Sequence, residues 1–353
     1  MIASLAATWR APRRSILERR DHMLTMLFGT WLLVGLFVDG WAHTNLDTLE
    51  TFFTPWHALF YSGFGATAAW IVYCIQREGA IPDGYAAAVV GLVAFALGGV
   101  GDMTWHLAFG IEKDVEALLS PTHLVLFASL VLILSSPFQS AWATLDAKPT
   151  MRGFLPALLS ISLVIALCLF FLLYLTPFNN FDALAERDRF IARMSDAEVA
   201  QGYRDLSIRA GLGSFYVTSL VLMAPLLLIL RRWQPPFGTS TVLFGVSAAL
   251  LSALEEFKLA PLIPAALAAG LVADVLIRWL QPAPTRVRVY GAFAMLVPVA
   301  LWSAYFPTVI VVWGTWWTVN LVGGVLVMSA LACGGLSVLM AAAPVSKVEQ
   351  SGQ

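Results

Sequence analysis

The stretches 35–43, GLFVDGWAH, and 54–57, TPWH, recur further along the chain as GGVGDMTWH at 98–106 and SPTH at 120–123. Both copies follow the pattern G-x3-D-x3-H and then E-x3-[ST]-P-x-H, in which Glu50 and Glu116 open the second part. The chain contains five histidines, and four of them occupy matched positions in the two copies. A repeated pattern that collects most of a rare residue type predicts a site to which both copies contribute.

The composition indicates that this chain folds in a membrane. Hydrophobic residues make up 59% of its 353 residues and charged residues only 12%, whereas soluble domains are about 25% charged. Apolar runs of about 20 residues, the length that crosses a bilayer as a helix, recur along the sequence. The net charge of −1 gives no reason to expect nucleic acid as a partner. Cys74, Cys168 and Cys333 lie singly within apolar runs, so a disulfide framework is not expected.

The apolar runs predict an all-α polytopic membrane protein with about ten transmembrane helices, in which a duplicated N-terminal helical hairpin forms a four-helix bundle. The predicted spans are 23–43, 54–75, 84–106, 120–138, 153–175, 212–230, 237–255, 259–279, 289–309 and 317–343. They divide the chain into a basic cytoplasmic N-terminus (1–22), the bundle (23–140), a six-helix membrane region (153–343) and a disordered tail (344–353). An amphipathic segment at 179–209 is predicted to lie on the outer membrane surface or to cap the site, and a plain surface connector fits the same pattern.

Lysines and arginines are distributed unequally between the two sets of short loops. With a cytoplasmic N-terminus, the cytoplasmic segments hold Arg10, Arg13, Arg14, Arg19, Arg20, Arg77, Lys148, Arg152, Arg231, Arg232, Arg278, Arg286, Arg288 and Lys347. The opposite short loops hold only Lys113 and Lys258. The positive-inside rule therefore predicts a multi-pass protein of the cell inner (plasma) membrane with both termini cytoplasmic. The four motif histidines are then expected near the outer face.

Helix geometry places the polar side chains of each copy on one surface. Asp39 and His43 are four residues apart and share a helix face. Thr54 is a good N-cap and Pro55 fits the first helical position, which puts His57 in the first turn of the next helix. The matching residues of the second copy are Asp102, His106, Ser120, Pro121 and His123. The positive end of the helix dipole disfavours a protonated imidazole there, and neutral imidazole is the form that binds metal.

This set of residues predicts a metal site, because ionisable groups inside a membrane are rare and a bound cation would offset the cost of burying them. The predicted metal ligands are His43, His57, His106, His123, Asp39 and Asp102, with Glu50 and Glu116 as further ligands or proton shuttles. A carboxylate four residues from a ligand histidine can instead orient the ring, so both roles stay open for the aspartates. Imidazole and carboxylate suit copper, zinc, iron or manganese. A proton-relay or polar-packing cluster is the alternative interpretation.

The pattern D-x3-H, followed by a histidine on the next membrane helix, resembles the copper site in the C subunit of particulate methane and ammonia monooxygenases. The matching residues are Asp39, His43 and His57, and again Asp102, His106 and His123. The resemblance implies copper and oxygen chemistry near the membrane surface. It is confined to these two stretches, and the present chain differs in carrying the motif twice and in its larger number of predicted spans.

Three functional hypotheses follow from this pattern. The first is a copper-dependent oxidoreductase, monooxygenase-like, acting on a small or lipophilic substrate that enters from the lipid bilayer. The second is a metal or proton-coupled transporter, which requires polar residues along a path through the bundle, and Ser62, Thr67 and Ser129 are its only candidates. The third is a structural or assembly subunit of a membrane complex, in which the cluster holds a structural metal and the partner is a second protein or another copy of the chain.

Overall fold

The protein is all-α, as predicted. The computed structural model describes residues 15–46, 53–110 and 114–342. Within them the helices are α1 (Arg19–Asn45), α2 (Pro55–Glu78), α3 (Ala86–Phe109), α4 (Asp114–Leu119), α5 (Pro121–Leu134), α6 (Ser136–Thr144), α7 (Met151–Phe171), α8 (Ala185–Ile191), α9 (Ala197–Arg232), α10 (Thr239–Leu254), α11 (Leu262–Leu280), α12 (Val287–Val312) and α13 (Val319–Ala342). Residues 1–14 of the predicted N-terminal segment and the predicted tail lie outside the described residues.

The prediction of a polytopic membrane protein is confirmed. Among the described residues, nine helices are long and apolar enough to cross a bilayer, when α5 and α6 are taken together as Pro121–Thr144. The remaining predicted span, the seventh (237–255), corresponds to α10, which has only 16 residues. At 1.5 Å per residue it is about 24 Å long, shorter than the roughly 30 Å hydrocarbon core. Because α10 packs between α7 and α11, most of its surface meets protein rather than lipid.

Two predicted boundaries shift for identifiable reasons. The fourth span continues past residue 138 but is interrupted at Ser135, just before Pro137, a residue that has no N–H to donate within a helix. The sixth span begins far earlier than predicted, because Asp196 caps the N-terminus of α9 through the N–H groups of Glu198 and Val199. As a result α9 runs for 36 residues and includes the second part of the predicted amphipathic segment.

The segment 179–209 does not form a single helix, and none of its residues lines the cavity beside His43, His57 and His123. It contains the short helix α8 and then the first turns of α9. Its first part packs on the connection between α12 and α13: the Trp316 indole donates to the Asp182 carbonyl over 2.7 Å, and the Ala185 N–H donates to the Gly314 carbonyl over 3.0 Å. This contact holds the segment against the C-terminal helices. Its placement on the outer membrane surface stays a prediction.

The two motif copies form two helical hairpins, α1 with α2 and α3 with α5. Glycines allow the helices of the first hairpin to touch along their backbones. A Cβ on Gly35 would lie 2.7 Å from the Phe60 Cα, and one on Gly63 would lie 2.6 Å from the Leu32 Cα. In the second hairpin, a Cβ on Gly91 would lie 2.8 Å from the Ser129 carbonyl oxygen. Such close approach is the usual reason for small residues between membrane helices.

The remaining helices form the scaffold around this bundle. Helix α7 contacts α1, α5 and α6 on one side and α9 and α10 on the other, and most of its residues are buried. It therefore joins the two hairpins to the C-terminal region. In that region Trp302 donates to Ser219 over 2.9 Å and Tyr290 donates to the Leu227 carbonyl over 2.7 Å, so both of these buried polar rings have partners.

The ends of α1 and α2 opposite the motif are held by an ion pair between the buried Asp21 and the more exposed Arg77. Asp21, only 1% exposed, accepts two hydrogen bonds from the Arg77 guanidinium, at 2.8 and 3.2 Å. Close by, Nδ1 of His22 lies 2.9 Å from the hydroxyl oxygen of the buried Tyr85. The fifth histidine is thus part of the packing that joins α1 to the start of α3, at the far end of the bundle from the other four.

Candidate metal centre

The first hairpin brings three potential ligands together. Asp39 and His43 lie one turn apart near the end of α1. The Thr54 hydroxyl accepts a hydrogen bond from the His57 N–H and Pro55 begins α2, so His57 lies in the first turn, as predicted. His43 Nε2 lies 3.8 Å and His57 Nε2 lies 3.5 Å from the same Asp39 oxygen, Oδ2.

The second hairpin repeats this arrangement. The Ser120 hydroxyl accepts from the His123 N–H at the start of α5, while Asp102 and His106 lie near the end of α3. His106 Nε2 lies 3.5 Å and His123 Nε2 lies 2.9 Å from Asp102 Oδ1. In each group of three, one ligand atom from every residue lies within 4.8 Å of the others. We refer to these groups as the Asp39 triad (Asp39, His43, His57) and the Asp102 triad (Asp102, His106, His123).

The separations in the Asp39 triad suit a shared ion better than a direct hydrogen bond. An N–H···O hydrogen bond is about 2.7–3.2 Å long, shorter than both nitrogen–oxygen distances in this triad. Metal–ligand bonds of about 2.0–2.2 Å at tetrahedral angles place neighbouring ligand atoms about 3.3–3.6 Å apart. The 3.5 Å distance from His57 to Asp39 falls in that range and the 3.8 Å distance from His43 lies just above it. The residues present therefore fit a small divalent cation.

Both imidazoles of the Asp102 triad are held by backbone carbonyls at Nδ1, the ring nitrogen that faces away from Asp102. Nδ1 of His106 contacts the Gly110 carbonyl at 3.2 Å, and Nδ1 of His123 contacts the Ala117 carbonyl. A carbonyl oxygen can only accept, so Nδ1 of each ring carries the proton and Nε2 is directed at Asp102. This is the usual arrangement of a metal-binding histidine, whose second ring nitrogen donates to a carbonyl or carboxylate.

The short contact between His123 and Asp102 requires a proton or a metal ion between the two side chains. With the proton on Nδ1, Nε2 of a neutral ring presents a lone pair to a carboxylate oxygen only 2.9 Å away. Two lone pairs at that distance repel each other unless a proton or a metal ion lies with them. The geometry thus narrows the interpretation to the two alternatives raised by the sequence, a metal site or a proton-binding cluster.

The two triads lie side by side. The ring centroids of His43 and His57 are 5.7 Å apart, those of His57 and His106 are 6.3 Å apart, and those of His106 and His123 are 5.5 Å apart. The four imidazoles are therefore connected by neighbouring rings, and His57 and His106 make a contact between the two triads. Two ions bound in the triads would be neighbours rather than occupants of separate sites.

The triads border one cavity of about 320 Å³. All three members of the Asp39 triad line it, as do Asp102 and His123. The other walls are mostly apolar and come from α1, α2, α4, α5 and α7; they include Leu36, Phe60, Leu118, Leu126, Phe170 and Phe171. A polar wall opposite apolar walls is typical of small-molecule sites.

Two hydroxyl groups beside Asp102 did not emerge from the sequence. The Thr122 hydroxyl donates to Asp102 Oδ1 over 3.1 Å, and the Tyr61 hydroxyl lies 3.5 Å from Asp102 Oδ2. Tyr61 belongs to the first hairpin, one turn after His57, so it links the two triads. Its spacing from His57 was the only available signal, since the contact with Asp102 depends on how the hairpins pack.

Of the two glutamates of the motif, only Glu116 lies within the described residues, and it is not brought into either triad. Glu116 lies on α4 with an exposed side chain and belongs to neither group of three. Its neighbours Val115, Ala117 and Leu118 line the cavity instead. Glu50 lies outside the described residues, so its predicted role is untouched by the structure.

Neither a family model, nor a curated protein, nor a solved structure matches this chain. The site must therefore be interpreted from its own geometry.

Proposed function

We propose that this protein is an integral membrane metalloprotein that binds one transition-metal ion in each triad and acts as a copper-dependent oxidoreductase. The contact between His123 Nε2 and Asp102 Oδ1 is the observation that carries the proposal, because it needs a cation and both rings of that triad have their proton on the other nitrogen. The ligands are the six histidines and aspartates of the triads, with the aspartates as ligands rather than only orienting groups.

Copper is favoured over zinc, iron and manganese for two reasons. Imidazole-rich sites bind Cu(II) more tightly than the other common divalent metals of the first transition row. The resemblance of D-x3-H and the following histidine to the copper site of particulate methane and ammonia monooxygenase C subunits points to the same metal and to oxidation chemistry. Adjacent ions would supply two redox equivalents, while the chain would bind and orient a substrate in the apolar cavity.

The structure gives less support to the other two hypotheses. The hydroxyls of Ser62, Thr67 and Ser129, the candidates for a transport path, each donate to a carbonyl of their own helix at 2.7–2.8 Å. They are therefore satisfied locally and mark no polar route along the bundle. A structural metal in a larger complex would not need an apolar cavity of this size beside the ligands.

Metal content tests the proposal directly. The full-length protein, purified in detergent without chelators and reconstituted with Cu(II), should contain two ions per chain by elemental analysis. His57→Ala and His123→Ala should each lose one ion, and the double variant should lose both. His22→Gln removes the histidine at the far end of the bundle and should leave both ions in place.

Two results would contradict the proposal. Wild-type protein without bound metal after reconstitution would support the proton-binding cluster instead. Metal that persists in the double His57→Ala, His123→Ala variant would place the site elsewhere in the chain. Oxidoreductase activity is tested separately: the Cu(II) electron paramagnetic resonance signal should disappear with a mild reductant and return with oxygen. A signal that cannot be cycled would leave a structural metal as the better interpretation.

A further inference from the structure

We infer that the two triads are unequal: the Asp102 triad is the tight, slowly exchanging site, and the Asp39 triad is the labile site at which small exogenous ligands reach the metal. This inference rests on the proposed metal binding and adds a division of labour that the matched sequence motifs do not suggest.

The first basis is the surroundings of the two carboxylates. Asp102 is held by the Thr122 hydroxyl at 3.1 Å and approached by the Tyr61 hydroxyl at 3.5 Å. The equivalent positions around Asp39 are Trp56, which precedes His57 as Thr122 precedes His123, and Phe127, which follows His123 as Tyr61 follows His57. Neither of these side chains has a hydroxyl group. The two triads therefore differ in the residue types beside their carboxylates as well as in their geometry.

The equivalent residues have other roles. Trp56 packs edge-on against Trp41 with ring centroids 6.0 Å apart, and Phe127 packs on Phe171 at 4.5 Å. Room for the Tyr61 ring comes from Gly99, because a Cβ at that position would lie 2.9 Å from a Tyr61 ring carbon. Tyr61 is thus accommodated on the Asp102 side of the centre, whereas Trp56 and Phe127 pack on other aromatic rings.

The second basis concerns the Asp102 triad alone, whose two rings are both held by backbone carbonyls. Both imidazoles of the Asp102 triad donate from Nδ1 to backbone carbonyls, those of Gly110 and Ala117. Gly110 has a φ of 87°, in the left-handed region that favours glycine, so the turn that presents its carbonyl is built into the sequence. Rings that are oriented before the metal arrives lose less freedom on binding it.

The third basis is access. In the Asp102 triad, Asp102 and His106 are only 2% and 3% exposed and His123 is 19% exposed. In the Asp39 triad, the exposed fractions of Asp39, His57 and His43 are 12%, 7% and 17%. The carboxylate of the Asp102 triad is therefore the more enclosed of the two. His106 does not line the cavity, although all three members of the Asp39 triad do. A small molecule in the cavity can therefore contact all three residues of the Asp39 triad.

Loss of a hydrogen-bonding partner behind a metal ligand typically lowers metal affinity 10- to 100-fold. Tyr61 and Thr122 are in this sense positioning residues of the Asp102 triad, since they act on the metal through the carboxylate. Removing their hydroxyls should affect one ion and not the other, which a general loss of stability would not do.

Chelator competition tests the inference. Copper-loaded protein in detergent is mixed with excess EDTA, and the release of metal is followed over time. We expect two phases of equal amplitude. His43→Ala and Asp39→Leu, as alternative changes at one triad, should each remove the fast phase. Tyr61→Phe and Thr122→Val should each accelerate the slow phase on the order of 10-fold or more and leave the fast phase unchanged.

Matched controls are available beside both hydroxyls. Ser62→Ala and Thr104→Ala remove exposed hydroxyls that bond only to carbonyls of their own helices, and both release phases should be unchanged. Azide, a small ligand of Cu(II), gives an independent measurement: its charge-transfer band should saturate at one copper per chain and be absent from His43→Ala.

The outcomes separate the two proposals. Wild-type protein that binds no copper overturns the proposed function and this inference with it. Two bound ions that leave in a single phase, a slow phase lost in His43→Ala, or unchanged release from both Tyr61→Phe and Thr122→Val would overturn the inference alone. Azide binding at both ions would do the same.

Discussion

Asp39 and Asp102 have the same sequence context but differ in how their charge is compensated. Among the described residues, the Asp39 carboxylate has two imidazoles at 3.5 and 3.8 Å as its compensating contacts. Asp102 has a hydroxyl donor at 3.1 Å and, without metal, shares a proton with the imidazole nitrogen at 2.9 Å. An incompletely paired buried charge is costly, whereas a buried donor that loses its acceptor costs its full desolvation energy. Without metal, the two aspartates should therefore affect stability in opposite directions.

Replacing each aspartate by the similarly sized leucine measures this difference. In metal-free protein, Asp39→Leu should raise the free energy of unfolding by about 1 kcal/mol, because a buried charge is exchanged for an apolar group. Asp102→Leu should lower it by about 2–3 kcal/mol, because it leaves the half-buried hydroxyl groups of Thr122 and Tyr61 without their acceptor. Denaturant unfolding in detergent after metal removal measures both. Equal effects of the two changes would show that the carboxylates have equivalent surroundings.

At the residue scale, the sequence predicted those features of the site that depend on residue spacing and helix caps within one hairpin. The i, i+4 spacing, the Thr54 and Ser120 caps and the prolines bring the six predicted ligands together within their own hairpins. Tyr61 was missed because its partner Asp102 belongs to the other hairpin. No local pattern encodes a contact between two hairpins, so the sequence could not have identified it.

At the scale of elements, the spacing between α1 and α2 sets the Asp39 triad. Asp39 and His57 belong to different helices, and Gly35 lies one turn before Asp39 with the Phe60 backbone against it. A side chain at Gly35 must therefore move α2 relative to α1. Because the triad spans both helices, this displacement changes the distance between its ligands.

Gly35→Ala should move His57 away from Asp39 and His43 without removing any of these three side chains. We expect a loss of about 1–3 kcal/mol in the free energy of unfolding, typical of overpacking, together with weaker metal binding at the Asp39 triad alone. Gly65→Ala on α2 is the matched control, since no atom lies within 4 Å of its Cβ position. That change should be neutral or slightly stabilising, because alanine favours the helix. Unaltered binding of both ions by Gly35→Ala would contradict the proposed geometry.

The start of α10 depends on a carboxylate from another helix. Gly238 at its N-cap position offers no side-chain acceptor. Asp274 on α11 supplies one: it accepts from the Ser240 N–H at 2.8 Å, the Thr241 N–H at 3.1 Å and the Thr241 hydroxyl at 2.7 Å. The aspartate is 2% exposed, so these bonds form in a buried setting. They fix where this short helix begins between its neighbours.

Asp274→Ala should destabilise the protein without touching the metal centre. Loss of the acceptor for buried N–H groups predicts a decrease of about 2–4 kcal/mol in the free energy of unfolding, and Asp274→Asn should lose about half as much because it keeps one acceptor oxygen. Denaturant unfolding in detergent measures the loss, and elemental analysis should still find two copper ions per chain. Metal loss in Asp274→Ala would show that the contact between α10 and α11 also affects the metal centre.

Hydropathy predicted the existence of every span, and its errors have physical causes. The predicted seventh span is longer than α10 because hydropathy cannot distinguish residues buried in protein from residues that face lipid. The start of α9 was missed because the Asp196 cap precedes a polar stretch that hydropathy reads as a loop. The break at Ser135 was missed because its neighbours remain apolar on both sides of Pro137.

At the scale of the whole molecule, the architecture separates the two ends of the bundle. The triads and their cavity lie at one end, and the Asp21–Arg77 pair lies at the other. The excess of basic residues on one set of loops predicts that the end with Asp21 and Arg77 is cytoplasmic. Metal and substrate would then reach the triads from the outside of the cell membrane.

Cysteine labelling in intact cells tests this orientation. In a background with Cys74, Cys168 and Cys333 replaced by alanine, Glu116→Cys places an exposed thiol beside the cavity and Lys148→Cys places one at the opposite end. A membrane-impermeant maleimide should label the Glu116→Cys variant in intact cells and the Lys148→Cys variant only after permeabilisation, because the reagent does not cross the bilayer. The reverse pattern would place the triads on the cytoplasmic side, where an intracellular metal pool would supply them and the positive-inside prediction would be wrong.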